Sequence, residues 1–279
     1  MVPVVLFVLG LAIGSFLNVL ALRYNGDHFV FDAKVIGGRS HCPHCHHQLA
    51  WYELFPLVSY HVQGGRCRHC RARIGFQYPL VEFLSGLIFA FVPLQFPGLP
   101  VVAALWIAAL EVVLLIAYID LRLQIVPDEL NVLLGAVAIF TAIFTVGALG
   151  PHNLSFFSPT LAALAGLQDN FWLAHLAGAA FGGGFFALLI LLTRGRGMGW
   201  GDVKFGIPLG FLFGWPDIAV LYGVAFVVGA IVGSVFLARK EKTMGSALPF
   251  VPFLAVGTAV AVFFGSPLFG WYAHAIGLR

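Results

Sequence analysis

Four cysteines and two aspartates have the residue types and spacing from which chemistry can be built. Every cysteine of the chain falls in one of two knuckles, Cys42-x-x-Cys45 and Cys67-x-x-Cys70. Two knuckles about 20 residues apart match the spacing of a four-thiolate zinc site, each wrapping one face of a tetrahedral ion. Pro43, Gly64 and Gly65 tighten the turns. Four protein thiolates leave no open coordination position, so this metal reads as structural. Two disulfides are the other way to use four cysteines. Six histidines (His41, His44, His46, His47, His61 and His69) share the stretch and read as solvated or supporting groups.

The aspartates are Asp120, in LLIAYIDLRLQIVPDEL, and Asp202, in RGRGMGWGDVKFG. Two carboxyl groups held close together cannot easily both ionise, so the pair holds one proton between them. That is what peptide hydrolysis by water requires. The ionised Asp takes a proton from the attacking water; the protonated one donates to the carbonyl oxygen and then to the leaving amine. Which residue has which role is left open. Gly197, Gly199 and Gly201 suit a backbone that leaves the helix and admits a second chain. The plainer alternative is a flexible loop in which Asp202 caps the following helix. Lys204 is expected either to ion-pair or to extend to the interface.

The elements that must position these groups follow from composition. Of 279 residues, 60% are hydrophobic and 10% charged, against about 25% charged in a soluble domain. Apolar runs therefore read as membrane spans, each needing about 20 residues. Eight are expected, near 1–22, 79–96, 101–120, 128–149, 172–193, 202–216, 217–238 and 246–272. The first has no basic residue before Arg23 and is longer than a signal-peptide core, so it reads as a retained span.

These spans leave 14 of the 15 basic residues on one side, only Arg279 falling on the other. The positive-inside rule makes the basic side cytoplasmic, with both termini outside. Both aspartates then lie at one membrane depth, at cytoplasmic ends of spans. The cysteine loop falls in a reducing compartment, which favours zinc over disulfides. Residues 24–78 are too few and too polar to hold a core of their own, so the metal staples them. Arg66, Arg68, Arg71 and Arg73 lie where a charged substrate segment or anionic lipid would meet the protein.

The other acidic residues sort by place. Asp27, Asp32, Glu53, Asp169, Asp217 and Glu241 fall in loops and turns and are expected to be solvated. Asp128 and Glu129 follow Pro127, where acidic residues complement a helix dipole. Glu111 lies about two and a half turns above Asp120 and is expected to be buried. Glu82 is expected to support the cysteine loop or contact substrate.

Taken in order, these motifs resemble the type IV prepilin peptidases, a family with a GxGD-type aspartyl site. The likeness rests on Gly14-Ser15-Phe16-Leu17-Asn18-Val19, the two cysteine knuckles with Trp51-Tyr52-Glu53 and Pro56 between them, and Tyr78-Pro79-Leu80-Val81-Glu82. Asp120-Leu121-Arg122 with Ile125-Val126-Pro127-Asp128, and Gly199-Trp200-Gly201-Asp202-Val203-Lys204, complete it. One departure is Val251, in Pro249-Phe250-Val251-Pro252-Phe253, where the family commonly has Gly.

The resemblance implies an all-α polytopic protein of the bacterial inner membrane with a small cytoplasmic zinc loop. Its parts would be residues 1–23 as first helix, 24–78 as the four-cysteine zinc-binding loop and 79–279 as the membrane-embedded peptidase. It implies removal of the short basic leader from prepilins and pseudopilins at the cytoplasmic face, with Asp120 and Asp202 catalytic. It also implies N-methylation of the new terminus from S-adenosylmethionine, for which no glycine-rich site is visible. Membrane lipids are expected partners and nucleic acid is not. A proton-coupled transporter would spread its carboxylates through the bilayer depth, and a docking factor would have no use for two aspartates at matched depth.

Overall fold

The computed structural model describes residues 2–150, 170–195, 198–239 and 248–275. Most of the expected outer loop, with Asp169, and also Arg196, Gly197, Lys240, Glu241, Lys242 and Arg279, lie outside the described residues. Regular structure among those described is helical. The helices are α1 (Val2–Arg23), α2 (Ala33–Ile36), α3 (Val58–Val62), α4 (Gln77–Gln95), α5 (Pro100–Leu123), α6 (Asp128–Leu149), α7 (Phe171–Thr193), α8 (Trp200–Phe213), α9 (Asp217–Ala238) and α10 (Val251–Ala275). Seven of these, all but α2, α3 and α8, are long and apolar enough to cross a membrane. The chain divides into two compact units, Met1–Pro97 and Gly98–Arg279.

In the first unit α1 packs antiparallel on α4. Lipid offers no hydrophobic drive for helices to associate, so small residues and interhelical hydrogen bonds must do it. A Cβ on Gly10 would sit 2.6 Å from the Ser85 carbonyl oxygen, and one on Gly14 would sit 2.7 Å from Cα of Glu82. The close approach lets Ser85 Oγ donate to the Gly10 carbonyl at 2.7 Å, and Asn18 donates to the Tyr78 carbonyl at 3.1 Å. Where α1 ends, the Arg23 guanidinium gathers the carbonyls of Val35, Gly37 and Gly38 around the short helix α2.

Within the loop, Glu53 corrects the expectation of a solvated acid. It is buried and accepts the backbone N–H of Ala50 at 2.9 Å, closing a 3₁₀ turn over Trp51–Glu53. A loop position does not guarantee exposure when the backbone has an unpaired donor to satisfy.

In the second unit, α8 is the element that fixes the site. The run expected to span 202–216 forms a helix of only 14 residues, about 21 Å long at 1.5 Å per residue. That is shorter than the roughly 30 Å of hydrocarbon. Gly214, at φ 75°, ends the helix, and the Trp215 N–H then bonds to the Ala174 carbonyl in the first turn of α7 at 2.8 Å. The chain still reaches the far end of the bundle, but with a helix that begins well inside the near end of α7.

The antiparallel α7–α8 contact is a glycine seam. A Cβ on Gly178 or Gly182 would collide with the carbonyl of Gly210 or Gly206, and the reverse holds for each partner. Tyr222 of α9 closes over it, its hydroxyl donating to the Gly182 carbonyl at 3.0 Å. Asp217, also expected to be solvated, is buried in the first turn of α9.

Gly206→Ala should therefore lower the midpoint of thermal unfolding in detergent clearly, by overpacking worth about 1–3 kcal/mol. A Cβ at Gly184 of the same helix pair meets nothing within 4 Å, so Gly184→Ala should be neutral or slightly stabilising. Equal effects of the two changes would remove the seam as the determinant of α8 placement.

Candidate active site and metal centre

Contacts in the second unit bring one end of α5 and α7 together with the starts of α6, α8 and α10. Asp120 lies in the last turn of α5, which stops where Gln124 turns left-handed at φ 54° and its N–H bonds back to the Asp120 carbonyl at 2.9 Å. Ile125-Val126-Pro127 then leads into α6, with Pro127 extended at its N-cap. Asp202 lies in the first turn of α8, after the extended N-cap Gly199. The two residues are 5% and 9% exposed, and their carboxyl groups lie within electrostatic range of each other.

Each carboxylate faces backbone donors at a helix start. Asp120 Oδ2 accepts the N–H of Val251, the first residue of α10, at 3.2 Å. The Asp202 carboxylate reaches back to the Gly199 N–H, half of a capping box. Helix N-termini favour negative charge, which offsets the burial of two acids. The expected capping role of Asp202 is thus compatible with a place beside Asp120.

The two glycines before Asp202 differ. Gly199 has an ordinary negative φ of −92°, which any residue can adopt. Gly201 is a close approach, since a Cβ there would lie 3.0 Å from Val126 Cγ2. Lys204 ion-pairs with Asp128, its ammonium 2.8 and 2.9 Å from the two carboxylate oxygens. The pair ties the start of α6 to the start of α8, two residues beyond Asp202. Asp128 thus keeps its place in the first turn of a helix but directs its charge across to a second element. Glu111 is buried within α5, as expected.

Two contributors escaped the sequence. Tyr222 lies within electrostatic range of Asp202; a phenol in a strongly apolar span must find a partner for its hydroxyl, and that was a usable signal. The Val251 N–H left none, because a backbone donor is invisible in residue type.

In the first unit the four cysteines meet. Their sulfurs all lie within 4.8 Å of one another, with Cys42–Cys70 at 3.8 Å and Cys45–Cys67 at 4.0 Å. Bonds of about 2.3 Å in a tetrahedron put sulfurs about 3.8 Å apart, so the cluster has the dimensions of a metal site. The cysteines are free thiols.

The knuckles repeat one local design. Cys42 N–H bonds to the His47 carbonyl and Cys67 N–H to the Ala72 carbonyl, while His46 and Arg71 take φ of 57° and 59°. The N–H groups of Cys70 and His69 pull the Cys67 thiol down to about 7. At Cys45 the His47 N–H works the same way, yet burial and the surrounding sulfurs push that thiol up to about 11. The Cys45 thiol thus resists ionisation among the other sulfurs, which is what a divalent cation would relieve. All six histidines are exposed.

Glu82 links this loop to the membrane helices. Its Oε2 accepts the Leu57 N–H at 2.8 Å, where Leu57 has a φ of 58°, and it also bonds Ser15.

Comparison with known proteins adds two family matches, the Bacterial Peptidase A24 N-terminal domain over residues 8–96 and the Type IV leader peptidase family over residues 107–234. The chain is similar to proteins named prepilin leader peptidase/N-methyltransferase. That from Burkholderia pseudomallei is 34% identical, covering 94% of this chain and 85% of the relative. Those from Pseudomonas aeruginosa (30%; 97% and 93%) and Bacillus subtilis (28%; 96% and 96%) are similar throughout. No solved structure matches.

Lys204 and Asp128 have side chains 54% and 68% exposed, so solvent weakens their attraction. A double-mutant cycle with Lys204→Met and Asp128→Asn, read by thermal unfolding, should give a coupling of about 1 kcal/mol or less. Several kcal/mol would mean that the pair is buried in the membrane-bound protein.

Proposed function

Because the chain belongs to the type IV leader peptidase family, we propose that it is a membrane-embedded aspartyl endopeptidase acting on type IV prepilins and pseudopilins. It removes their short basic leader and N-methylates the new amino terminus. The observation that supports the peptide chemistry is the approach of two buried carboxyl groups, Asp120 from α5 and Asp202 from α8. The relatives offer nothing for the transporter alternative.

In this reading the pair holds one proton. The ionised aspartate takes a proton from water as the oxygen attacks the scissile carbonyl. The protonated one donates to the carbonyl oxygen, and the nitrogen of the departing chain collects a proton as the C–N bond breaks. The N–H groups of Val251 and Gly199 stabilise whichever carboxylate is charged. Lys204–Asp128 and the packing of Gly201 on Val126 hold the two helix starts in register.

Cys42, Cys45, Cys67 and Cys70 would hold zinc, which supplies a rigid centre for a loop with little core of its own. The methyl donor is S-adenosylmethionine by family likeness, and no residue of this chain is assigned to it. The enzyme resides in the bacterial inner membrane. Arg122, Arg194, Lys204 and Arg239 fall at or beside the helix ends that gather near the aspartates, which the positive-inside rule turns to the cytoplasm.

Purified protein incubated with a prepilin and followed by mass spectrometry tests the assignment. Asp120→Asn and Asp202→Asn should each cut leader removal by at least about 10²–10⁴-fold, the worth of one general acid or base. Cleavage retained by both variants would end the aspartyl reading. Asp128→Asn should keep substantial activity, and a loss as complete as for Asp120→Asn would move the chemistry there. Elemental analysis should find about one zinc per chain in the parent and less in Cys42→Ser; unchanged metal would remove the thiolate site.

A further inference from the structure

The segment between the two cysteine knuckles turns apolar residues outward. Trp51 is 73% exposed and Val62 69%, with Tyr52, Phe55 and Val58 also exposed between them. The Trp51 ring meets Tyr52 and Phe55 edge-on, at 5.8 and 6.1 Å between centroids. The inward side of the same segment is committed: Glu53 is buried on the Ala50 N–H, and the Leu57 N–H is held by Glu82. Glu82 lies five residues into α4, about 8 Å along its axis, so the aromatic ledge is tethered where a membrane-crossing helix begins. Water is a poor solvent for such a ledge, whereas the bilayer interface suits Trp and Tyr.

Beside the ledge is a recess of about 400 Å³, lined by Val62, Gln63, Arg66, Arg68 and Arg71. The Arg68 guanidinium also lies 5.3 Å from the Tyr52 ring centre, joining the basic and aromatic parts. Among the described residues none of these three arginines has an ion pair. The acid between the knuckles, Glu53, is buried on the Ala50 N–H. Three unneutralised guanidinium groups in a polar recess, beside an exposed aromatic ledge, call for an anion with an apolar body. A basic leader peptide would be repelled.

We propose that Arg66, Arg68 and Arg71 bind the headgroup of an anionic phospholipid while Trp51, Tyr52, Phe55 and Val62 enter the interface, docking the cysteine loop on the leaflet. This inference is independent of the catalytic role of Asp120 and Asp202. The full-length protein, in nanodiscs of phosphatidylcholine alone or mixed with phosphatidylglycerol, tests it by hydrogen–deuterium exchange. Phosphatidylglycerol should slow exchange across residues 51–71 and leave α6 unchanged. In detergent titrations read by native mass spectrometry, the Arg66→Gln/Arg68→Gln/Arg71→Gln variant should bind phosphatidylglycerol roughly ten- to a hundred-fold more weakly, each basic residue near the surface being worth about a few-fold.

Unchanged zinc content in that variant would show that the loop remains folded. Equal protection by the two lipids in the parent protein would overturn the proposal, whatever the variant does. So would protection that survives the triple change, or equal protection from inorganic phosphate in phosphatidylcholine discs, which would indicate a soluble anion. Protection that depends on protein concentration rather than lipid would indicate a second copy and overturn it too.

Discussion

Two backbones can touch along α7 and α8 because neither has a Cβ at Gly178, Gly182, Gly206 or Gly210, and the rest of the second unit depends on that contact. Inside a bilayer, helices gain nothing from hiding apolar surface, so the depth of a helix is set by where it can approach a neighbour. The seam places a 14-residue helix against the longer α7 and brings its far end within hydrogen-bond reach of Ala174. Its near end must then lie inside the bundle, where the first turn displays Asp202. A longer α8 would place that carboxylate nearer the water. Shortness is therefore what buries the acid, and the glycines make the short helix hold.

A buried pair of acids still needs compensation, and the second unit supplies it from main chain. Val251 N–H meets Asp120, Gly199 N–H meets Asp202, and both donors sit at helix starts, where such groups have no partner in their own helix. Lys204 and Asp128 form an ion pair that joins α8 to α6 from the exposed side. The division is physically sensible: dipoles inside, where a full positive charge would quench one acid, and charges outside, where solvent moderates them. The first unit answers a different difficulty. Its loop lacks core, so it leans on four sulfurs and on Glu82, which bonds it to α4 at Leu57.

Hydropathy made the helices legible, since apolar runs of about 20 residues have few alternatives in membrane proteins. It misjudged α8 for a definite reason. The run 202–216 is apolar nearly throughout, while the stop at Gly214 is a matter of backbone conformation. Glu53 and Asp217 misled in the opposite direction: both stand in turns by sequence, yet the first satisfies a backbone donor and the second starts a packed helix. The paired aspartates and the four thiols were legible because their types and spacing permit few other uses. What was hidden were partners that carry no identity in sequence, above all the N–H of Val251, and Tyr222, whose hydroxyl crosses from α9 to α7.

Val251, where the resemblance leads one to expect glycine, acts through its main chain. Read as a side chain, valine in place of a commoner glycine only adds bulk near the last helix. In the structure the residue serves Asp120 through its N–H, a group that glycine and valine share. The valine side chain is buried at the start of α10, where a β-branched residue restricts backbone freedom and so holds the donor in place. Pro252, the next residue, has no N–H to donate and a fixed φ suited to the first turn of a helix. The donor facing Asp120 is thus kept by two residues that stiffen the turn around it.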